Sequence, residues 1–223
     1  NELKKIFPEK IFTGIDPNES GFHNYQDISN KLAAEKKNLK ILNTDIDNFN
    51  KERKYDLIFS FNVFEHVLEQ KNYLEKTYDL LEKNGKNIIF CPNYDFPYEP
   101  HFVLPIIFNK VITYKIFKNK ILKHEKKTQE VGLWDGLNIN GKKDIEKIMK
   151  KNNYYYTFDY SIQQRILERL SNDQSKYFKK RQGIAGRLAI IGKFFYLDKI
   201  IFNILRVPFP YLKLIIKKNE IND

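Results

Sequence analysis

The sequence predicts an α/β fold: a doubly wound, mostly parallel open sheet that an antiparallel C-terminal strand completes. Two observations lead there. Short apolar runs alternate with helix-length stretches through the first hundred residues, the pattern of parallel strands joined by crossovers. Beyond residue 95 the pattern turns mostly helical until Pro208 and Pro210, after which one apolar run returns, which implies a helical insertion before the last strand. With 223 residues, 42% hydrophobic and 15% aromatic, the chain can bury one sizeable core.

The elements follow in order. Residues 10–15 form a β-rich run that stops at the turn pair Asp16-Pro17, and residues 39–42 a second that ends in Asn43-Thr44-Asp45. Residues 55–60, Tyr-Asp-Leu-Ile-Phe-Ser, have the apolar continuity of a strand buried on both faces. Leu74, Tyr78 and Leu81 keep helical spacing within residues 68–82, with Asn84-Gly85 as the stop signal. Residues 86–91 read as a fourth strand, halted by Pro92. Residues 93–101 read as an ordered aromatic and proline-rich loop, and residues 102–127 as a helix. A helix over 140–151, a strand over 154–160, a mostly helical stretch over 162–205 and a last strand over 211–216 complete the chain. Residues 1–218 are expected to form one domain in two parts, 1–95 and 96–218, with a tail at 219–223.

Composition narrows the function classes. A single cysteine excludes a disulfide framework and a cysteine-rich zinc site and points to a reducing compartment. No uncharged apolar run reaches the ~18 residues of a membrane span, so a cytoplasmic protein is expected. The net charge of +11 is unevenly spread: residues 1–100 carry 14 basic and 17 acidic side chains, residues 101–223 carry 25 and 11. The basic half suits a phosphate-bearing partner or peripheral contact with the anionic inner face of a membrane; a solvated lysine coat accounts for it equally.

Ligands of open α/β sheets lie beyond the carboxyl ends of the strands. Asp16 ends the first run, where a carboxylate can accept from a ribose diol, and Asp45 follows the second, where it can accept from an exocyclic amine. An aspartate after a strand is more often a turn or helix cap than a ribose ligand. Glu65 and His66 follow the third run and open a helix, near its positive end. Cys91-Pro92-Asn93 follows the fourth.

In their order and spacing, residues 13–17 (Thr-Gly-Ile-Asp-Pro), 43–45 (Asn-Thr-Asp), 55–67 (through Ser60-Phe61-Asn62-Val63-Phe64-Glu65-His66) and 80–85 resemble the class I S-adenosylmethionine-dependent methyltransferases, in particular their small-molecule branch. The resemblance covers residues 10–95 and implies a Rossmann-like sheet with S-adenosyl-L-methionine as cofactor. It implies that Asp16 binds the ribose hydroxyls, with Ile15 and Pro17 shaping the pocket, and that Asp45 meets the adenine amine, with Ile46 on the ring. Ser60 and Asn62 would lie against the methionine moiety, and Phe61 or Val63 against the adenosine. Methyl transfer from a sulfonium needs chiefly alignment. A base is needed where the acceptor still carries its proton, and His66, Glu65 and His101 are the candidates.

The family's first strand and glycine-rich turn should precede residues 1–7, themselves helix-like, and nothing in the chain supplies them: Gly14 is misplaced and Gly21 follows the acidic position. A start upstream of Asn1 is therefore expected, with a gap between the strands ending at Asp16 and Ser60. Weak cofactor binding by this chain alone is expected too; micromolar affinity in calorimetry would contradict it. Some relatives hold a divalent metal with a Glu-His pair at this position, but no third ligand is evident, so no metal is expected. Trp134, between Gly132 and Gly136, is a lid or a packing residue. Residues 181–206, apolar with interspersed cations, form a helical pair on the domain or lie at a membrane interface. The reaction expected is methyl transfer to a small or lipid-linked acceptor, such as a saccharide of cell-envelope biosynthesis. The alternatives are an RNA methyltransferase and a non-catalytic binding protein of the same fold.

Overall fold

The computed structural model describes residues 7–17, 38–49, 52–172 and 209–218, together with Lys31, Ala34 and Ser175. The expectations for residues 1–6, Gly21, residues 181–206 and the tail at 219–223 lie outside the described residues.

The strands form two separate main sheets. β1 (Phe12–Ile15) and β2 (Leu39–Leu42) pair in parallel, in the register Ile15 to Leu42. The second sheet has the order β3-β4-β8-β7, from β3 (Tyr55–Phe61), β4 (Leu81–Pro92), β8 (Tyr211–Lys217) and β7 (Tyr155–Phe158). β3 and β4 are parallel, while β8 runs antiparallel to both β4 and β7. The antiparallel last strand is thus as expected, and among the described residues no strand joins β1 to β3, the break expected between them. A small hairpin, β5 (Tyr98–Glu99) and β6 (Leu104–Pro105), stands apart.

Four helices are described: α1 (Gln70–Asp79), α2 (Lys110–Thr128), α3 (Lys142–Lys151) and α4 (Ser161–Asn172). None of them is long and apolar enough to cross a membrane. In α1, Tyr73, Leu74 and Thr77 share the face turned to the sheet, and Lys71 pairs with Glu75 one turn on at 3.2 Å on the solvent side. In α3 the buried face is Ile145 and Met149, and the Asp144 carboxylate reaches back to the Gly141 amide at 3.3 Å. These faces close on Leu212, Leu214 and Ile216 of β8 and on Ile89 and Cys91 of β4. Period-two alternation delivers those side chains to one side of the sheet. A second cluster of Phe102, Leu104, Ile121, Leu133, Trp134 and Leu137 lies beneath α2.

Three expectations need correction. β3 is not buried on both faces: Leu57, Phe59 and Phe61 alternate onto one face and are exposed, so only the face that carries Ser60 meets the core. Asn84-Gly85 does not close α1, which ends five residues earlier. The pair lies in a bulge where Tyr55 faces Leu81 but Leu57 faces Lys86, with Asn84 left-handed at φ 63°. A Cβ on Gly85 would stand 2.8 Å from the Glu82 carbonyl and 3.0 Å from that of Tyr55, so only glycine fits. The helix expected from residue 102 starts at Lys110 instead. Pro105 in β6 interrupts it, and Asn109 caps it by accepting from the Ile112 amide at 2.9 Å.

A polar peg locks α1 to β4. Buried Asn87 donates through Nδ2 to Thr77 Oγ1 at 2.9 Å, and Thr77 donates to the Tyr73 carbonyl at 2.8 Å. Thr77→Val keeps the shape and strands the Asn87 amide, so urea denaturation should show a loss of about 1–3 kcal/mol.

Candidate active site

The chain leaves β3 through Asn62, left-handed at φ 52°, whose amide donates to the Phe90 carbonyl at 2.9 Å. It then forms a single 3-10 turn, Phe64–His66, before going extended at Val67. Glu65 and His66 therefore sit on a turn of their own, four residues before α1, and not at a helix's positive end. The turn's carbonyls are held from outside. Gln70 Nε2 donates to Phe64 O at 2.9 Å, the Asn138 amide to Glu65 O at 2.7 Å, and Asn138 Nδ2 to Val67 O at 2.6 Å.

Glu65 is held inside the protein, and neither carboxylate oxygen has a hydrogen-bond partner. Two imidazoles face it: His101 Nε2 lies 3.6 Å and His66 Nε2 3.9 Å from Oε1. The two rings meet edge to face with centroids 5.2 Å apart. On its other side His101 is clamped, with Nδ1 2.6 Å from Glu99 Oε1. Glu99 is fully buried and fixed in turn by the Phe102 amide on Oε2 at 2.7 Å and the Tyr94 hydroxyl on Oε1 at 3.2 Å. A carboxylate at Nδ1 selects the tautomer with Nδ1–H and leaves Nε2 as the base toward Glu65.

The electrostatics follow from burial. Desolvation pushes the Glu65 carboxyl up to about 7. Burial, with the neighbouring His101, brings His66 down to about 4, so its ring is neutral. Burial would lower His101 as well, but the hydrogen bond and charge of Glu99, assisted by Glu65 and Glu130, raise it overall. Burial raises the Tyr94 hydroxyl, and so do the charges of Glu99 and Glu65. The Cys91 thiol is raised by burial and by Glu65, which makes it a packing residue and not a nucleophile.

Glu65 and His66 drive stability in opposite directions. Glu65 favours the proton in the folded state, so its contribution is full below pH 4.5 and falls as pH rises toward 7. His66 disfavours it, so its contribution rises as pH climbs from 4 to 6.5. In unfolding titrations with chelator present, each variant is compared with the wild type, in which the two slopes oppose each other. Glu65→Gln should expose a rise, and His66→Gln a fall, each on the order of 3 kcal/mol across that window.

The other expected site residues lie at strand ends. The Asp16 amide donates to the Leu42 carbonyl at 2.9 Å, so the ends of β1 and β2 stand side by side. Asp45 works as a turn cap, accepting from the Asn48 amide at 2.7 Å and from Asn48 Nδ2 at 2.9 Å, and those bonds hold its carboxyl below the usual range. Ile46 packs against the main core. Ile15 and Pro17 are exposed at the end of β1. Ser60 is buried with its hydroxyl beside the Tyr73 phenol, and Phe61 lies exposed between the Phe59 and Phe90 rings. Asp16 and Asp45 thus belong to one sheet and Glu65, His66 and His101 to the end of the other, where the structure brings those three together.

Sequence reasoning missed Glu99, Tyr94 and Asn138. Glu99 and His101 are two residues apart at the end of a strand, a spacing that puts both on one face, and this was the available signal. The third ligand that seemed missing is His101: Glu65, His66 and His101 each offer a donor atom within 4.8 Å of the others, a set able to take a divalent cation. Trp134 is not a lid. It is buried, edge-on to Phe102 at 5.4 Å, with its amide on Glu125 Oε1 at 2.9 Å.

The strand order, parallel pairs with an antiparallel strand inserted beside β4, is that of an open α/β fold. Residues 1–86 match the family model described as a methyltransferase domain. An uncharacterised protein of Mycobacterium tuberculosis is 32% identical over 129 residues, which cover 56% of this chain and 43% of that protein. Malonyl-[acyl-carrier protein] O-methyltransferase 1 of Ilyobacter polytropus is 32% identical over 85 residues, 36% of this chain and 32% of that protein. Among solved structures, the plantazolicin methyltransferase BpumL, in complex with a triazolic desmethylPZN analog and SAH, superposes with a TM-score of 0.53 at 16% identity, over 98% of this chain and 71% of that one. Residues 1–86 thus resemble a methyltransferase domain in sequence, and the chain shares the fold of solved S-adenosylmethionine-dependent methyltransferases. It spans less than half the length of the curated relatives it matches.

Proposed function

We propose that the protein transfers a methyl group from S-adenosylmethionine to a small or lipid-linked acceptor that reacts through a proton-bearing group, such as a saccharide hydroxyl of the cell envelope. The observation that carries this reading is the Glu99–His101 relay, with 2.6 Å between the carboxylate and Nδ1 and with Glu65 3.6 Å from Nε2. A methyltransferase whose acceptor is already a free nucleophile has no use for such a relay. Asp16 takes the ribose diol, with Ile15 and Pro17 beside it. Asp45 and Ile46 take the adenine, and Ser60, Phe61 and Asn62 line the path of the methionine moiety. His101 Nε2 accepts the acceptor's proton as its oxygen attacks the sulfonium methyl. The carbon–sulfur bond breaks, S-adenosylhomocysteine leaves, and the charge gained by the imidazole is held by Glu99.

The orphaned Glu65 carboxylate facing two imidazoles supports a second reading, in which a divalent cation on Glu65, His66 and His101 binds the acceptor oxygen. One experiment addresses both. The full-length protein is incubated with methyl-labelled S-adenosylmethionine and separated aqueous, lipid and RNA fractions of cells, with and without chelator. Label in the aqueous or lipid fraction that survives chelation supports the relay, and label lost on chelation supports the cation. Label confined to RNA, or none at all, contradicts the proposal.

A further inference from the structure

We propose that the outer face of α2, with the hairpin in front of it, docks the protein on an anionic lipid bilayer. This deepens the function proposed above by specifying how a lipid-linked acceptor is met; it rests on that reading for its purpose and not for its geometry.

Among the described residues, six of the seventeen exposed large hydrophobic side chains fall between Val103 and Leu122. Phe108 is 91% exposed, Val111 63% and Ile116 57%. Phe108, Ile112 and Ile116 recur at four-residue spacing from the residue before the Asn109 cap into the helix. Val103 and Phe108 both hold left-handed backbone, at φ 54° and 58°, a conformation that β-branched and aromatic residues rarely adopt. Strain of this kind is characteristic of binding segments. The opposite face of α2 is already used, with Thr113, Ile121 and Glu125 buried over the Trp134 cluster.

Charge selects the occupant. Helix α2 carries seven lysines and a single acidic residue, Glu125, whose carboxylate is taken by the Trp134 amide. Lys115, Lys118 and Lys123 are exposed between the apolar side chains. A second copy of this face would oppose lysine with lysine. The apolar stretch at residues 181–206 carries five Arg and Lys against Asp198 alone, so it meets the same objection. RNA would satisfy the lysines but leave Phe108, Val111 and Ile116 in water. An anionic bilayer satisfies both: the apolar side chains enter the acyl boundary while the lysine stems lie along it and the ammonium groups reach the headgroups. Four residues join the hairpin that carries His101 to α2, so the docked helix and the acceptor side of the site are neighbours in the chain.

The test is co-sedimentation of the full-length protein with phosphatidylglycerol–phosphatidylcholine vesicles, at about a 3:7 ratio, in low and high salt. F108D/I116D and K115E/K118E/K123E are compared with the wild type, and S-adenosylmethionine affinity is measured in parallel. Each variant is expected to lose vesicle affinity by about tenfold or more, with cofactor affinity and thermal midpoint retained. High salt should weaken the wild type. Vesicle binding lost in both variants supports the surface even where methyl transfer fails to appear. Wild type that stays in solution at low salt, or variants that sediment with it, overturn the surface and leave the enzymatic reading intact. Single-stranded RNA that displaces the vesicles and still binds F108D/I116D overturns it in favour of nucleic acid.

Discussion

His101→Gln is expected to lower the rate of methyl transfer at saturating cofactor by about 10²- to 10³-fold, with the Kd for S-adenosylmethionine unchanged within about twofold. The side chain is pinned at Nδ1 by Glu99 at 2.6 Å, so Nε2 has a fixed direction, and it is the nitrogen that meets Glu65. Glutamine keeps a donor for Glu99 and fills similar space but offers no basic nitrogen. A purely structural role would be preserved by that change, and a base would not. Added imidazole should restore part of the rate. Glu99→Gln is the companion. It keeps one acceptor oxygen, for His101 Nδ1 and the Tyr94 hydroxyl, gives up the acceptor of the Phe102 amide, and takes the charge from behind His101, so the alkaline shift of the rate profile that Glu99 imposes should diminish. A His101→Gln protein that turns over at the wild-type rate would remove the relay from the mechanism.

Asp16→Ala is expected to weaken S-adenosylmethionine binding by about 100-fold, with little change in thermal stability. Its backbone amide holds β2 through the Leu42 carbonyl at 2.9 Å, a bond that the substitution keeps. Two hydrogen bonds from a ribose diol to a carboxylate are charge-assisted, and losing both is worth about 3 kcal/mol. Asp45→Ala should cost less affinity and more local order, because Asp45 already accepts twice from Asn48. Calorimetry separates the two, and an Asp16→Ala protein with wild-type affinity would contradict the ribose assignment.

The strands were legible because each is a short apolar run with a polar stop, and β2 falls on the residues its sequence marks. The burial of β3 was misread because continuity of apolar residues does not say which face has a layer packed on it, and the face that carries Leu57, Phe59 and Phe61 is exposed. Asn84-Gly85 is a stop signal by composition, but the same left-handed preference serves a bulge, and pairing with Tyr55 decided the matter. At the site, Glu65, His66 and His101 were legible one by one. Their meeting was not, because it depends on a turn whose carbonyls are held by Gln70 and Asn138, the latter about seventy residues away in sequence. Glu99 was hidden by its acidity: a carboxylate among prolines reads as surface until the fold encloses it.

The most direct measurement is a crystal structure of the full-length protein with S-adenosylhomocysteine bound. The account predicts the ribose hydroxyls on Asp16, the adenine beside Asp45 and Ile46, and the sulfur directed at the space between Glu65, His66 and His101. A nucleoside bound at the opposite edge of the strands, or a sulfur facing away from His101, would contradict it.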